Sequence, residues 1–179
     1  MQKRTAFKLC LAGATAVALN AAPVAVFAKD EPLKVAFVYV SPANEEGWSS
    51  QHDIARKFVE EKFGDKIKVT WIENIPENAD AQRVIRDLAQ QGNKIIFATS
   101  FGYMNSVMKV AKQFPNVYFE HATGYKTSKN VKNYTARFYE GRYLAGMLAA
   151  ATTKTNILGY VAALPIPEVF QGINAYKIG

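Results

Sequence analysis

The sequence predicts an α/β protein with a doubly wound parallel sheet. Short apolar segments rich in β-branched and aromatic residues alternate with segments whose apolar residues recur at helical spacing. The short segments are apolar at nearly every position, as strands buried on both faces are. Strand and helix alternating in this order predict right-handed crossovers that cover both faces of one sheet.

Five segments are predicted as strands of this sheet. Each combines β-branched and aromatic residues over six or seven positions. They are 34–40 (KVAFVYV), 67–73 (IKVTWIE), 94–100 (KIIFATS), 117–122 (VYFEHA) and 157–163 (ILGYVAA). A parallel sheet brings the carboxyl ends of its strands to one edge, where ligands of such sheets bind.

Two segments between these strands show the helical spacing most clearly. Their apolar residues recur at i, i+3, i+4 and i+7; the residues are Ala81, Val84, Ile85 and Leu88 in one segment, and Met104, Val107, Met108 and Ala111 in the other. Asn78 is placed to cap the first helix, and Gly92 to end it. The second helix is predicted to end near Phe114, because the following proline disfavours helix at the preceding residue.

The end of the chain is predicted to complete one lobe and to begin another. A third helix is predicted at 139–153. Its small-residue face, predicted to approach the sheet closely, is formed by Gly141, Ala145 and Ala149. The segment 156–179 reads as one strand, a loop between prolines and a helix start. We expect 29–155 to form a first lobe and 156–179 to open a second lobe whose remainder is missing.

The first 28 residues are predicted to be an export signal. Three basic residues within the first eight precede an uncharged apolar stretch, 9–26, and small residues at Val26 and Ala28 favour cleavage after Ala28. A transmembrane anchor is the alternative. Asn20 and Pro23 interrupt the apolar stretch, which makes it a poor permanent span of the ~20 strongly apolar residues a bilayer requires.

The composition argues against a disulfide-linked protein and against a nucleic-acid-binding protein. The single cysteine, Cys10, lies in the predicted signal, so the mature chain has no disulfide, and Lys8 disfavours lipid attachment at Cys10. Removing the three basic residues of the signal lowers the net charge from +7 to +4. No run of lysine and arginine remains, so we predict no nucleic acid partner.

Side chains able to bind a small molecule cluster in the loops after the predicted strands. Trp48 and Ser49 follow the first strand, where a tryptophan can also be a packing residue and a serine a helix cap. The loop after the third strand offers a hydroxyl, a predicted tight-turn glycine and two alternative aromatic contacts; it comprises Ser100, Phe101, Gly102 and Tyr103. His121 and Thr123 end the fourth strand. We predict that these eight residues bind a ligand.

No arrangement of residues predicts catalysis or a metal centre. His52 and Asp53 are adjacent in a predicted helix start and so point to different faces. Two histidines without a cysteine nearby do not form a typical metal site. The chain has neither a Gly-x-x-x-x-Gly-Lys-Ser/Thr phosphate loop nor a Gly-x-Ser-x-Gly elbow. We therefore predict a protein that is not an enzyme and that uses no cofactor.

Three long stretches carry a resemblance to a known family. They are GNKIIFATSFGYMNSVMKVAKQFPNVYFEHATGYKT (92–127), NYTARFYEGRYLAGMLAA (133–150) and ILGYVAALPIPEVFQGINA (157–175). On these motifs the chain resembles the basic membrane protein family of ABC-transporter substrate-binding proteins, the PnrA-like purine and nucleoside binders. The resemblance covers essentially all of the chain after the signal.

The resemblance implies a fold and a function. It implies the type I periplasmic binding fold, with two Rossmann-like lobes that close on a ligand; this chain resembles the first lobe and the first strand-helix unit of the second. It also implies an exported, periplasmic receptor that delivers a purine or nucleoside to an ABC permease in the inner membrane. Trp48 occupies the place of the aromatic that stacks on the base.

Two departures from the nucleoside-binding members favour a free base, adenine especially. Those members have an Asp-x-x-Ser-Phe-Asn type of loop after the first strand and an Asp at the end of the fourth, whereas this chain reads Asn-Glu-Glu-Gly-Trp-Ser and His-Ala-Thr-Gly-Tyr. Two alternative hypotheses stay open. One is a truncated fragment that binds nothing well because one wall of the slot is missing, and the other is an α/β nucleoside hydrolase.

Overall fold

Five parallel strands form one sheet at the centre of the protein. The computed structural model describes residues 31–179, so the predicted export signal and its cleavage site lie outside the described residues. The strands are β1 (Leu33–Val38), β2 (Ile67–Ile72), β3 (Ile95–Ala98), β4 (Tyr118–Ala122) and β5 (Val131–Tyr134). They lie in the order β2-β1-β3-β4-β5, and each neighbouring pair is parallel. The predicted α/β class with a parallel sheet is confirmed.

Five α-helices follow or connect these strands, in addition to two short 3₁₀ helices at Gly64–Lys66 and Phe101–Tyr103. The α-helices are α1 (Trp48–Phe63), α2 (Ala79–Gln90), α3 (Met104–Ala111), α4 (Phe138–Thr152) and α5 (Pro167–Ile178). The side chain of Asn78 caps α2 by accepting a hydrogen bond from the backbone N–H of Asp80 at 2.8 Å. Gly92, with a φ of 87°, turns the chain beyond its end, as the spacing predicts. None of the helices within residues 31–179 is long and apolar enough to cross a membrane.

The two faces of the sheet are packed differently. Alternate strand residues such as Val38, Ile96 and Phe119 form the main apolar core with α2 and α3. Residues of the opposite parity form a smaller cluster, in which the rings of Phe37 and Phe97 stack with centroids 4.5 Å apart. Side chains alternate between the two faces of a strand, so the apolar residues of these strands pack on both faces of the sheet.

A buried ionic network attaches α1 to the smaller cluster. The Asp53 carboxylate accepts hydrogen bonds from Arg56 Nε at 2.6 Å and from the Tyr39 hydroxyl at 3.4 Å, and it pairs with Lys57 Nζ at 2.9 Å. The Arg56 guanidinium lies 3.9 Å from the centroid of the Trp71 ring. Asp53 therefore has a structural role, and its contacts are separate from those of His52.

One predicted strand is wrong, and one observed strand is unpredicted. Segment 157–163 forms no strand within the described part of the chain, and Val161 there is fully exposed. Its sequence has strand propensity, but propensity alone does not supply a partner. The fifth strand is instead β5, whose sequence VKNY buries only Val131 fully and pairs with β4 from Phe119 onward.

The predicted close approach of the third helix to the sheet is also wrong. Helix α4 packs chiefly against α5. The close approach lies at Gly146, where an added Cβ would come within 2.1 Å of the Tyr176 carbonyl oxygen. Gly141 meets no atom within 4 Å. Gly146 of α4 therefore serves the contact with α5 rather than a helix-sheet contact.

Candidate functional site

A cavity of about 570 Å³ lies at the carboxyl ends of the strands. The start of α1, the ends of β4 and β5, and helices α4 and α5 surround it. Four aromatic rings contribute to its walls; they are Trp48, Tyr134, Phe138 and Tyr160. Its polar lining residues include His52, Thr123, Arg142 and Glu168. This combination of apolar walls with a few polar groups is typical of a small-molecule site.

The indole of Trp48 is held in place by the end of the third strand. Its Nε1–H donates a hydrogen bond to the carbonyl oxygen of Thr99. Thr99 is fully buried and is itself bonded to β1, since its hydroxyl donates to the Val38 carbonyl oxygen at 2.8 Å. The Trp48 ring lies 5.7 Å, centroid to centroid, from the Phe138 ring of α4. The sheet therefore fixes an aromatic surface at the cavity wall.

His52 lies one helical turn after Trp48 on the same face of α1. Its Nδ1 is 2.9 Å from the Trp48 carbonyl oxygen, and its ring lies 4.9 Å from the Trp48 ring and 6.1 Å from the Tyr134 ring. Burial lowers the pKa of His52 below its usual value, although the hydrogen bond to the Trp48 carbonyl opposes that shift. The imidazole is therefore neutral near pH 7.

Thr123 adopts an unusual backbone conformation at the end of β4. Its φ is 61°, which is rare for a β-branched residue. Its N–H donates to the Tyr134 carbonyl oxygen at 2.8 Å, and the residue lines both the large cavity and an adjoining cavity of about 360 Å³. Such conformations cost about 1–3 kcal/mol and concentrate at ligand sites.

The predicted loop after the third strand forms a polar network beside these cavities. The Ser100 hydroxyl donates to the Glu77 carboxylate, and the Gly102 N–H donates to Glu77 Oε1 at 2.9 Å. A Cβ on Gly102 would lie 2.3 Å from the Glu77 carboxyl carbon. A side chain at position 102 would therefore displace the Glu77 carboxylate from the backbone N–H. The φ of Gly102 is not in the left-handed region, so the backbone turn itself does not require glycine, contrary to the expectation.

His121 connects the ends of β3, β4 and β5. Its Nε2 lies 2.7 Å from the Ser100 carbonyl oxygen and its Nδ1 lies 3.3 Å from Asn133 Oδ1. Burial lowers the pKa of His121, against the effect of these hydrogen bonds. The ring leaves no room beside Gly124, where an added Cβ would lie 2.0 Å from Nδ1.

Two more predicted residues are buried away from the cavities. Tyr103 is fully buried, and its hydroxyl donates to the Ile75 carbonyl oxygen at 2.5 Å. Burial raises the pKa of this phenol above its usual value. Ser49 is fully buried as well, and its hydroxyl oxygen accepts the Ser41 N–H at 3.2 Å. It fastens the loop after β1 instead of capping a helix.

The structure separates the eight predicted site residues into two groups. Trp48 and Thr123 line the larger cavity, while Phe101 and Thr123 line the smaller one. Of the two alternative aromatics, Phe101 is therefore the one that faces a cavity. The remaining five lie outside the cavity linings; they are Ser49, Ser100, Gly102, Tyr103 and His121.

Several residues of the larger cavity were not predicted to bind a ligand. They are His52, Tyr134, Phe138, Arg142, Tyr160 and Glu168. His52 was interpreted only as part of a helix start, and the loop after β5 follows a strand that was not predicted. The aromatic-rich sequence NYTARFYEGRY (133–143), placed between a strand and a helix, is the signal that could have found three of them. Within 31–179 no group of three or more His, Cys, Asp or Glu side chains is placed to hold a metal ion.

Comparison with known proteins identifies the family. The family model described as ABC transporter substrate-binding protein, PnrA-like, matches residues 33–179. A purine-binding protein of Brucella abortus is 55% identical over 150 residues, which cover 84% of this chain and 43% of that protein. A protein of Haloferax volcanii whose name describes an ABC transporter glucose-binding protein is 43% identical, over 83% of this chain and 38% of that protein.

A solved structure supports the fold. An ABC transporter solute-binding protein of Aeropyrum pernix superposes with a TM-score of 0.67 at 18% identity, over 81% of this chain and 42% of that chain. The chain thus spans less than half the length of each of these three proteins. Its parallel sheet is that of the type I periplasmic binding fold, and the chain belongs to the PnrA-like family of ABC transporter substrate-binding proteins.

Proposed function

We propose that this chain supplies the purine-binding wall of a periplasmic receptor for an ABC importer. The receptor captures a purine base or nucleoside, with adenine favoured, and delivers it to a permease in the inner membrane. The observation that carries the proposal is the aromatic cavity at the carboxyl ends of the strands, where Trp48 is fastened to Thr99. The protein acts as a carrier and not as an enzyme.

The cavity suits a flat heterocycle in size and surface. Its volume of about 570 Å³ falls within the roughly 300–1,000 Å³ of typical small-molecule sites. Stacking of a base on an aromatic side chain is worth about 1–3 kcal/mol in nucleic-acid complexes. Because the Trp48 indole N–H is already bonded to Thr99, the ring is available to the ligand through its face rather than its edge.

The opposite wall belongs to a separate pair of helices. Helices α4 and α5 pack on each other, and the segment 135–137 joins them to β5. Phe138, at the start of α4, contributes the ring that lies against Trp48. Closure around a ligand would be a hinge motion at this connection that changes the separation of the two rings.

The relatives support a purine over other small molecules. The Brucella protein, named as purine-binding, shares 55% identity with this chain, compared with 43% for the Haloferax protein, whose name refers to glucose. Aromatic rings flank the cavity, and a purine can stack on them with the face of its flat ring system. The aromatic lining therefore favours the purine.

Tryptophan fluorescence gives a direct test. The chain contains two tryptophans, Trp48 at the cavity and Trp71 on β2. In a Trp71→Phe variant the emission comes from Trp48 alone, and we expect adenine and adenosine to quench it. In the matched Trp48→Phe variant the emission comes from Trp71, and we expect no purine-dependent change.

Calorimetry of the mature chain, 29–179, with adenine, adenosine, guanosine and glucose provides the second measurement. We expect micromolar binding of at least one purine and no heat with glucose. Heat with glucose and none with any purine would overturn the proposal. Absence of heat with every compound would instead favour a fragment that does not bind. Conversion of adenosine to adenine would indicate the hydrolase.

A further inference from the structure

We propose that His52 is a specificity-determining residue of this cavity and that its Nε2 accepts a hydrogen bond from the exocyclic amine of a bound aminopurine. This inference rests on the proposed function, which favours adenine among the purines, and it names the side chain that would distinguish adenine from other purines. His52 was not among the residues that the sequence predicted to bind the ligand.

The hydrogen bond at Nδ1 fixes the tautomer of His52. Nδ1 lies 2.9 Å from the carbonyl oxygen of Trp48, and a carbonyl oxygen can only accept a hydrogen bond. Nδ1 must therefore carry the proton. In a neutral imidazole one nitrogen is a donor and the other an acceptor, so Nε2 is left as an acceptor.

The surroundings keep the imidazole neutral. The ring is packed between the rings of Trp48 and Tyr134, at centroid distances of 4.9 Å and 6.1 Å. Burial lowers the His52 pKa, and the hydrogen bond to the Trp48 carbonyl only partly opposes this effect. The other titratable or charged side chains that line the cavity are Tyr134, Arg142, Tyr160 and Glu168. Glu168 is the one carboxylate among these lining residues, and burial raises its pKa.

The acceptor on Nε2 is available to a ligand. Within residues 31–179 Nε2 makes no hydrogen bond, and no buried side-chain nitrogen or oxygen in that range lacks a partner. Nε2 is therefore reached by solvent, and His52 lines the cavity. Residues 48 and 52 are four positions apart on one helix, so the acceptor lies one turn from the stacking surface. A base stacked on Trp48 presents its edge to such a group.

A fixed acceptor distinguishes adenine from its oxo analogue. Adenine carries an amine on the six-membered ring where hypoxanthine carries a carbonyl oxygen. The amine can donate to Nε2, whereas the carbonyl oxygen would face a second acceptor. A site built to pair with a ligand N–H discriminates strongly against a ligand that lacks it, because a polar group is then left unpaired.

The affinities of two variants for three ligands test the inference. His52→Phe keeps a flat ring but removes the acceptor, and His52→Gln restores a carbonyl acceptor. The ligands are adenine, hypoxanthine and unsubstituted purine, which has neither amine nor carbonyl. We expect His52→Phe to weaken adenine binding about tenfold or more while purine binding changes little, and His52→Gln to recover part of the loss. An equal loss for adenine and purine would show that His52 only packs.

The tautomer can be measured in the unmodified chain, so the inference does not depend on the variants folding. Nitrogen-15 NMR of the histidine side chains should show a neutral His52 ring with its proton on Nδ1 at pH 7, and adenine should shift the Nε2 signal. A proton on Nε2 would overturn the inference even if purines bind. Purine binding that is unaffected by His52→Phe would overturn it while leaving the proposed function intact, and absence of any purine binding would overturn both.

Discussion

Replacement of Asp53 by alanine is expected to destabilise the protein severely, because it leaves a buried cation with a single ionic partner. The carboxylate of Asp53 is bonded to Arg56 Nε at 2.6 Å, and both residues are only 4% exposed. Glu60 and the face of Trp71 remain as contacts of the guanidinium after the change. Removing one partner of a buried ion pair costs about 3–5 kcal/mol, and the remaining contacts place the expected loss near the lower end, about 3 kcal/mol.

A matched exposed pair provides the control. Asp80 and Arg83 have the same i, i+3 spacing on α2 at a distance of 3.3 Å, but both side chains are more than half exposed. Exposed pairs contribute about 0–1 kcal/mol, so Asp80→Ala should change the free energy of unfolding by no more than that. Salt screens the exposed pair and leaves the buried one largely unaffected. The difference between the two variants should therefore persist in 0.5 M NaCl.

Urea unfolding followed by circular dichroism measures both variants. A domain of this kind has a free energy of unfolding of about 5–15 kcal/mol, so a loss of about 3 kcal/mol is readily measured. If Asp53→Ala and Asp80→Ala lower the free energy of unfolding by the same amount, the buried network does not stabilise the packing of α1 on the sheet. If Asp53→Asn is as stable as the unmodified chain, the charge of Asp53 is unimportant and only its hydrogen bonds matter.

The same network predicts how stability depends on pH. Burial acts to raise the Asp53 pKa, but the hydrogen bonds and charges of Arg56 and Lys57 outweigh it and hold the pKa below its ordinary value. A folded pKa below the unfolded one means that the stabilisation is present above the unfolded pKa near 3.9 and is lost as the pH falls through the lower folded pKa. Asp53→Asn should remove this part of the acid dependence.

Three further substitutions test the packing by the same urea assay. Gly124→Ala places a Cβ within 2.0 Å of the buried His121 ring, so we expect a loss of about 1–3 kcal/mol; an unchanged midpoint would show that the ring moves freely. Gly141→Ala, on an exposed face of α4 with no atom within 4 Å, should instead gain about 0.5–1 kcal/mol, and a loss there would contradict the open face. Asn130→Ala should cost about 1–3 kcal/mol, whereas a neutral result would mean that water replaces the amide. The amide nitrogen of Asn130 bonds to the carbonyl oxygens of Ala111, Phe114 and Val117.

The sequence predicts those strands whose residues form a clear local pattern. Segments 34–40, 94–100 and 117–122 are recognisable because their strands bury residues on the sheet, as apolar strands of a parallel sheet do. Segment 67–73 is recognisable from its β-branched and aromatic residues, although β2 is an edge strand without a fully buried residue. β5 was not predicted because its sequence VKNY is only four residues long and contains a single β-branched residue, Val131. Segment 157–163 is the converse case: its sequence is typical of a strand, yet it forms no strand in the described part of the chain. Pairing is a tertiary event that local propensity does not encode.

The candidate site was predictable to the extent that it depends on topology. The loops after strands of a parallel sheet meet at one edge, so the positions of Trp48 and Thr123 at the cavity follow from the order of the elements. The direction of each side chain does not follow from that order. Tyr103 points into the core, where its hydroxyl bonds to the Ile75 carbonyl oxygen, while Phe101, two residues earlier, lines a cavity. Both are aromatic residues of the same loop, so the sequence does not indicate which of them is buried in the core.

The strand order also determines when the protein can fold. β1 is made first, yet it pairs with β2 through Leu33 and Ile67 and with β3 through Val35 and Ile95, so its second neighbour lies 60 residues further along the chain. At about 5–20 residues per second of synthesis, roughly 3–12 s pass between the making of β1 and the making of β3. The central strand β1 therefore lacks one of its two neighbours during that interval. If the N-terminal export signal is present as predicted, it would reach the export machinery while the chain is still unable to complete its core.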